Sequence, residues 1–180
     1  MNRVGGIIGF AVVGALTVLI AACGGRSGSA PSSTAQLLTA GLAAQASGNT
    51  QAALADYQQV LTQEPGNKYA LYNIGLIDQQ QGKTTPAEAQ YRAALVSDPN
   101  YVPALFNLAI LRTGAAPYEA IDLYRHVIAL QPSYAEAHLN LGYVLRSVGQ
   151  VTEGNSEIAQ AVSIKPSLAT TPAAKATPTP

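Results

Sequence analysis

Four similar phrases that end in proline recur along the chain at an almost constant spacing. They are VLTQEP, LVSDP, IALQP and VSIKP, and their prolines follow one another by 34, 33 and 34 residues: Pro65, Pro99, Pro132 and Pro166. Upstream of each proline, a small residue precedes a large one by four positions: Ala53 and Tyr57, Ala87 and Tyr91, Ala120 and Tyr124, Gly154 and Ile158. Self-similarity at such a period is the signature of a repeat array.

Each unit of this array has the pattern of two helices. Apolar residues return every three or four positions, and a glycine divides each unit at Gly48, Gly82, Gly114 or Gly149. This pattern predicts two amphipathic helices joined by a turn, with the proline ending the second helix. A single pair cannot bury its apolar face, but stacked pairs form a continuous core.

These residues resemble the tetratricopeptide repeat, from Thr34 to Pro166. The resemblance implies an all-α fold: an α-solenoid of four helix-turn-helix units, about eight helices, at 34–67, 68–101, 102–134 and 135–166. The third unit departs from the pattern, because its inner turn at 111–114 is one residue short. The fourth carries Gly154 where alanine is usual, which costs its helix about 1 kcal/mol. Residues 167–180 are rich in Ala, Thr and Pro, which predicts a disordered tail.

The N-terminus has the organisation of a secretory signal. A short basic start is followed by an apolar run from Val4 to Ile20, and residues 1–22 therefore predict a signal peptide. The run from Val4 to Ala22 is also long enough to span a membrane, so an uncleaved anchor is the alternative. Residues 23–33 are rich in Gly and Ser, which predicts a flexible linker.

The only cysteine of the chain, Cys23, follows this run directly. Ile20-Ala21-Ala22-Cys23 looks like a bacterial lipobox. The resemblance implies that Cys23 becomes the first mature residue and carries a diacylglyceryl group, with acyl chains such as palmitate. Two or three such chains anchor a protein stably. The expected location is the extracytoplasmic side of the bacterial cell membrane, or the outer membrane in a two-membrane host.

Charge and motifs argue against several classes of function. Lys plus Arg equal Asp plus Glu at 10 each, so there is no basic footprint for nucleic acid. The sequence shows no phosphate-binding loop, nucleophile elbow or metal-spaced cluster. His126 and His138 are interpreted as packing residues rather than catalytic ones. The sequence therefore predicts neither an enzyme, nor a cofactor, nor a metal site.

An asparagine column is the most informative feature for binding. Asn73, Asn107 and Asn140 occupy the same place in three successive first helices, a place that faces the concave groove in the family that the chain resembles. A carboxamide both donates and accepts hydrogen bonds, so such a row can hold the backbone of an extended peptide. The same register predicts further groove residues: Tyr72, Leu76, Phe106, Ile110, Leu139, Tyr143 and Arg146. The alternative is that asparagine is the common repeat residue here and bonds locally or to water.

The sequence thus predicts a lipid-anchored adaptor whose groove binds an extended peptide or a partner protein. A family carboxylate clamp needs several basic residues, and Arg146 is the only match. The alternative function is a structural or assembly subunit of an envelope or secretion complex that uses the edges of the solenoid. An enzyme ranks third.

Overall fold

The computed structural model describes residues 33–170, which are helical apart from short connections. The helices are α1 (Thr34–Ala46), α2 (Thr50–Gln63), α3 (Lys68–Gln80), α4 (Thr84–Ser97), α5 (Val102–Ala115), α6 (Pro117–Leu130), α7 (Ala135–Ser147) and α8 (Val151–Ile164), followed by a 3₁₀-helix (Pro166–Thr170). Each of the four repeats holds two helices. The predicted fold class, an all-α solenoid of four helix-turn-helix units, is therefore confirmed.

The helices stack in sequence order, which is how short amphipathic helices bury their apolar faces. Within each repeat the two helices pack together, and each second helix also packs on the first helix of the next repeat. The core accordingly consists of three clusters, formed by α1–α3, α3–α5 and α5–α7. In addition, α5 contacts α7, so the first helices of neighbouring repeats touch directly.

A buried tyrosine occupies the same place in the second helix of the first three repeats. Tyr57, Tyr91 and Tyr124 are each at most 1% exposed. Tyr57 Oη donates to Gln45 Oε1 at 3.0 Å, and Tyr91 Oη donates to Gln79 Oε1 at 2.6 Å. These bonds satisfy the buried hydroxyls, whose burial without a partner would be costly. In these three repeats, the large residue that follows the small one by four positions therefore belongs to the core.

The fourth repeat brings its two helices closer together. A Cβ added at Gly142 would lie 2.6 Å from the carbonyl oxygen of Gly154, and one added at Gly154 would lie 2.7 Å from Arg146 Cγ. Any side chain at Gly154 would therefore collide with α7. The helix penalty expected for this glycine is offset by a close approach that alanine would prevent.

The inner turn of the third repeat differs from the prediction. Gly48, Gly82 and Gly149 have φ of 78°, 74° and 87°, the left-handed conformation that glycine adopts at helix ends. Gly114, which was predicted to form the corresponding turn, instead lies inside α5. Because this connection has fewer residues, α5 continues to Ala115, and Ala116 alone joins it to Pro117, the first residue of α6. The prediction of a glycine turn at Gly114 was wrong.

Both ends of the array also extend beyond the predicted limits. Ser33, assigned to the linker, caps α1, and its side chain accepts a hydrogen bond from the Gln36 amide. Disorder was predicted from residue 167, but the 3₁₀-helix Pro166–Thr170 contacts α8, and the Leu168 amide bonds to the Lys165 carbonyl. The tail prediction was therefore wrong for residues 167–170. Residues 171–180, the predicted signal peptide and the rest of the predicted linker lie outside the described residues.

Candidate functional site: an aromatic cleft between the first helices

A cleft of about 370 Å³ opens where α3, the start of α5 and the loop before α7 meet. We call it the aromatic cleft. It is lined by Tyr72, Val102, Pro103, Phe106, Asn107, Gln131 and Tyr134. Its volume lies within the range of ligand pockets, which combine apolar and aromatic walls with a few polar groups.

The aromatic rings of the cleft hold one another in place. Phe106 stacks on Tyr134 with centroids 4.8 Å apart and meets the buried Tyr124 edge-on at 5.9 Å. Tyr72 meets Tyr101 edge-on at 5.6 Å. Offset-stacked and edge-to-face pairs are the favoured arrangements of aromatic rings. The walls of the cleft are therefore preorganised for contact with a ligand.

A lysine and two tyrosines extend this aromatic surface along the start of α3. Lys68 Nζ lies 5.2 Å from the ring centroids of both Tyr69 and Tyr101 and 2.6 Å from Asp98 Oδ2. The hydrogen bond to Asp98 raises the pKa of Lys68, and the hydrogen bond to Lys68 lowers the pKa of Asp98. Tyr69 remains 48% exposed, so the aromatic surface continues outside the cleft.

The phenols of the cleft are neutral hydrogen-bonding groups. Burial raises the pKa values of Tyr72 and Tyr134, and burial together with the negative potential of neighbouring groups raises the pKa of Tyr101 to about 12. A neutral phenol both donates and accepts hydrogen bonds. The cleft thus combines ring faces for apolar groups with hydroxyls and amides for a peptide backbone.

The asparagine column divides into three different environments. Asn73 Nδ2 donates to the Tyr69 carbonyl of its own helix at 2.8 Å. Asn107 lines the aromatic cleft, and its Nδ2 donates to Tyr72 Oη at 3.2 Å. Asn140 acts on the phenol of Tyr124, whose pKa burial raises and the Asn140 side chain lowers. Local bonding, the alternative stated above, describes Asn73, while Asn107 and Asn140 connect repeats to tyrosines.

The other predicted groove residues fall into two groups. Tyr72 and Phe106 line the aromatic cleft beside Asn107. Tyr143 is half-buried on α7 and Arg146 is exposed, and neither lines the cleft. Leu76, Ile110 and the buried Leu139 do not line it either. Arg146 occupies the position that Gln45 and Gln79 hold in earlier repeats, and its stem lies against Gly154. Peptide binding by the predicted set stays a prediction, and Cys23 lies outside the described residues.

Sequence reasoning missed two loop tyrosines: Tyr134, which lines the cleft, and Tyr101, which packs on Tyr72 beside it. Tyr101 and Tyr134 each directly precede the first helix of a repeat, at α5 and α7. Their recurrence at one repeat position is a signal that helical periodicity does not contain. Gln131, directly after α6, was also missed, and so were Val102 and Pro103 at the start of α5, which carry no functional signal in the sequence.

The remaining charged clusters connect helices. Glu88, Arg92, Arg112 and Glu119 form a closed set of ion pairs, 2.6–3.1 Å long, across α4, α5 and α6. The buried His138 joins α7 to α8, with Nδ1 2.6 Å from Glu157 Oε2 and Nε2 2.9 Å from the Pro132 carbonyl. Within residues 33–170 no group of three His, Cys, Asp or Glu side chains could hold a metal ion. In that same range no helix is both long and apolar enough to cross a membrane.

Comparison with known proteins agrees with this geometry. The tetratricopeptide repeat family model matches residues 38–102. The fold is a tetratricopeptide repeat solenoid. A crystal structure of MamA protein is 26% identical with a TM-score of 0.67, and the match covers 74% of this chain and 73% of that one. MamA from Desulfovibrio magneticus RS-1, at 18% identity and a TM-score of 0.64 over 75% and 77% of the two chains, shows the fold alone.

An enzyme also contains a similar region. A mutant O-GlcNAc transferase from Thermobaculum terrenum is 28% identical with a TM-score of 0.56, and the match covers 62% of this chain but only 22% of the transferase. No curated protein sequence matches the chain significantly. The similarity therefore concerns the repeat array.

Proposed function

We propose that this protein is a lipid-anchored adaptor of the bacterial envelope whose repeat array binds an extended segment of a partner protein. The aromatic cleft is the contact surface in this proposal. The observation that carries it is the set of preorganised rings beside the Asn107 amide, in a cleft of about 370 Å³ between successive first helices.

The chemistry of the cleft favours a peptide over a small charged ligand. Its walls are rings and apolar side chains, and its polar groups are the neutral amides of Asn107 and Gln131 and the tyrosine hydroxyls. Such groups match the alternating carbonyls and apolar side chains of an extended chain. Stacking and hydrogen bonding of this kind serve recognition, so the proposal includes no reaction.

The anchor is the second part of the proposal and rests on the sequence around Cys23. Lipidation would hold the array at the membrane and raise the local concentration of a partner there. Mass spectrometry of the N-terminus of the native protein tests it. The expected product begins at an acylated Cys23, and a retained Met1 would instead indicate an uncleaved anchor.

Photocrosslinking in the native host tests the adaptor function. A photoreactive phenylalanine analogue at position 106 is expected to crosslink one partner protein. The matched position is Tyr118, which is 66% exposed on α6 and does not line the cleft. A partner captured from position 106 and not from position 118 supports the proposal. The reverse result contradicts it.

A structural subunit that assembles through its edges is the second candidate function. Tyr118 and Val151 leave apolar side chains 66% and 50% exposed at the starts of α6 and α8. Contiguous exposed apolar surface marks interaction sites, and in this candidate function these two side chains would contact the neighbouring subunit. Crosslinks from position 118 would favour this function.

A further inference from the structure

Three of the four repeats join the start of their first helix to the end of their second helix through side chains. We call this contact the repeat tie. It is a hydrogen bond of 3.1 Å in the first repeat and an ion pair of 2.6 Å in the second and the fourth: Thr34 with Gln63, Lys68 with Asp98, and Glu136 with Lys165. In the third repeat the equivalent positions hold Val102, Pro103 and Gln131, and all three line the aromatic cleft. Because Val102 and Pro103 have no polar side chain, the tie cannot form there, and the cleft lies in its place.

The missing tie leaves hydrogen-bonding groups of the cleft available to a ligand. Within residues 33–170 no hydrogen bond engages the side chain of the exposed Gln131 or the hydroxyl of Tyr134. Tyr72 Oη accepts a hydrogen bond from Asn107 Nδ2 at 3.2 Å, so its own proton remains to be donated. The walls of the cleft therefore offer three donors, the Gln131 amide and the hydroxyls of Tyr72 and Tyr134.

The cleft is also uncharged. None of the described residues that line it carries a charge. The charged residues at the equivalent edge of the adjacent repeats neutralise each other in pairs, Lys68 with Asp98 and Glu136 with Lys165. A charged group that entered the cleft would lose hydration without gaining an opposite charge. The part of a ligand that contacts the cleft is therefore expected to be neutral.

A proline-rich segment matches these groups better than a helix does. A helix bonds its carbonyls internally, so it would leave the three donors of the cleft without acceptors. The polyproline II conformation has no internal hydrogen bonds, and proline has no N–H that needs an acceptor. Aromatic-lined grooves recognise such segments. Phe106 and Tyr134, stacked with centroids 4.8 Å apart, provide the apolar ring surface for a proline.

From the missing tie, the available donors and the absence of charge, we infer that the partner segment bound in the aromatic cleft is uncharged, proline-rich and in the polyproline II conformation. Its proline rings pack on Phe106 and Tyr134. Its carbonyls accept hydrogen bonds from Tyr72, Tyr134 and Gln131. This inference rests on the proposed function, because it specifies the segment that the same cleft binds.

Nuclear magnetic resonance of the full chain in detergent, titrated with a blocked decaproline peptide, tests the inference. The side-chain amide resonances of Gln131 should shift, and a blocked peptide of alanine and glutamine of equal length should not shift them. Tyr134→Phe keeps the ring and removes the hydroxyl, so it should weaken decaproline binding about three- to tenfold. Tyr118→Phe, outside the cleft, is the matched control and should bind like the native chain.

Restoring the repeat tie should close the cleft. The double variant Val102→Lys with Gln131→Asp places in the third repeat the residues that Lys68 and Asp98 provide in the second. It should fold like the native chain, because the same pair forms one repeat earlier, while decaproline binding falls at least about tenfold. Circular dichroism checks the fold. If the double variant does not fold, the result for Tyr134→Phe decides alone.

Three results would overturn the inference: no shift of the Gln131 amide with decaproline, an equal shift with the peptide of alanine and glutamine, or native affinity in Tyr134→Phe. A proline-free partner segment crosslinked from position 106 in cells would also overturn it and leave the proposed function intact. If decaproline does not bind and position 106 crosslinks no partner, the proposed function fails as well.

Discussion

The first helices of repeats one and two begin differently from those of repeats three and four. Ser33 and Asn67 cap α1 and α3, and their side-chain oxygens accept hydrogen bonds from helix amides. Tyr101 and Tyr134 occupy the same place before α5 and α7 and make no such bond. We call α1–α4 the capped half and α5–α8 the aromatic half.

This difference shows that the residues before α5 and α7 lack a capping hydrogen bond that would stabilise their helices. A capping side chain contributes about 1 kcal/mol, and the aromatic half gives up two of them. In exchange, Tyr134 stacks on Phe106 in the cleft, and Tyr101 packs edge-on against Tyr69 and Tyr72. Positions that favour a surface over local stability are expected at functional sites.

Alkaline pH gives the largest expected effect and tests the packing of the aromatic half. Burial raises the pKa of Tyr124 to about 12, against about 10 in an unfolded chain. Below pH 10 the folded and the unfolded chain both keep the Tyr124 proton, so the raised pKa costs no stability there. Between pH 10 and 12 the unfolded chain alone releases the Tyr124 proton, which lowers the free energy of unfolding by about 3 kcal/mol; the other buried tyrosines, Tyr91 of the capped half among them, add to this decline.

Urea unfolding at pH 9 to 12 measures this loss, and Tyr124→Phe is the control. The variant should show a clearly smaller decline because it lacks the phenol. An unchanged decline would mean that Tyr124 is not buried as described.

Truncation of Phe106 should reveal the larger packing contribution of the aromatic half. Phe106 is half-buried against the α5–α7 cluster, and Leu38, its counterpart in α1, is half-buried against the α1–α3 cluster. We expect Phe106→Ala to lower the free energy of unfolding by about 2 kcal/mol and Leu38→Ala by about 1 kcal/mol. Thermal and urea unfolding measure both. Equal losses would remove the energetic distinction between the halves.

Removal of a cap should have a smaller effect, restricted to the capped half. The Asn67 side chain accepts hydrogen bonds from the amides of Tyr69 and Ala70. Asn67→Ala is expected to cost about 1 kcal/mol and Asn67→Gly a few tenths, since glycine leaves the helix end accessible to water. Denaturant unfolding of the two variants checks this order, which would be contradicted if both were neutral.

Replacing the tyrosine before α7 by a capping residue should cost little stability while it weakens partner binding. Tyr134→Asn loses the ring stack on Phe106, about 1 kcal/mol, and the packing of the half-buried ring on the α5–α7 cluster, about 1 kcal/mol, while it adds a cap of about 1 kcal/mol. The variant should therefore lose about 1 kcal/mol of unfolding free energy and bind its partner more weakly. Tyr134→Ala, which gains no cap, should be less stable than Tyr134→Asn. Undiminished partner binding by Tyr134→Asn would show that the cleft is not the binding surface.

The sequence predicted the fold because the fold depends on local, periodic signals. The prolines, the glycine turns at Gly48, Gly82 and Gly149, and the buried Tyr57, Tyr91 and Tyr124 recur in step with the repeat. Gly114 was misassigned because glycine is tolerated inside a helix when the connection is too short for a turn.

The candidate site was less predictable because its residues come from different repeats. The repeat register points to Tyr72, Phe106 and Asn107, and all three line the aromatic cleft, while their binding of a peptide stays a prediction. It could not show that Asn73 bonds to its own helix or that the stem of Arg146 lies against Gly154. These contacts depend on three-dimensional packing. The same is true of the positions of Tyr134 in the cleft and of Tyr101 beside it.

Calorimetric titration of the crosslinked partner segment into three forms of the protein tests the central claim, that the aromatic cleft is the binding surface. Phe106→Ala should weaken binding at least about tenfold, which corresponds to about 1.4 kcal/mol. Tyr118→Ala should bind like the native chain. Native affinity in Phe106→Ala together with a loss in Tyr118→Ala would contradict the account.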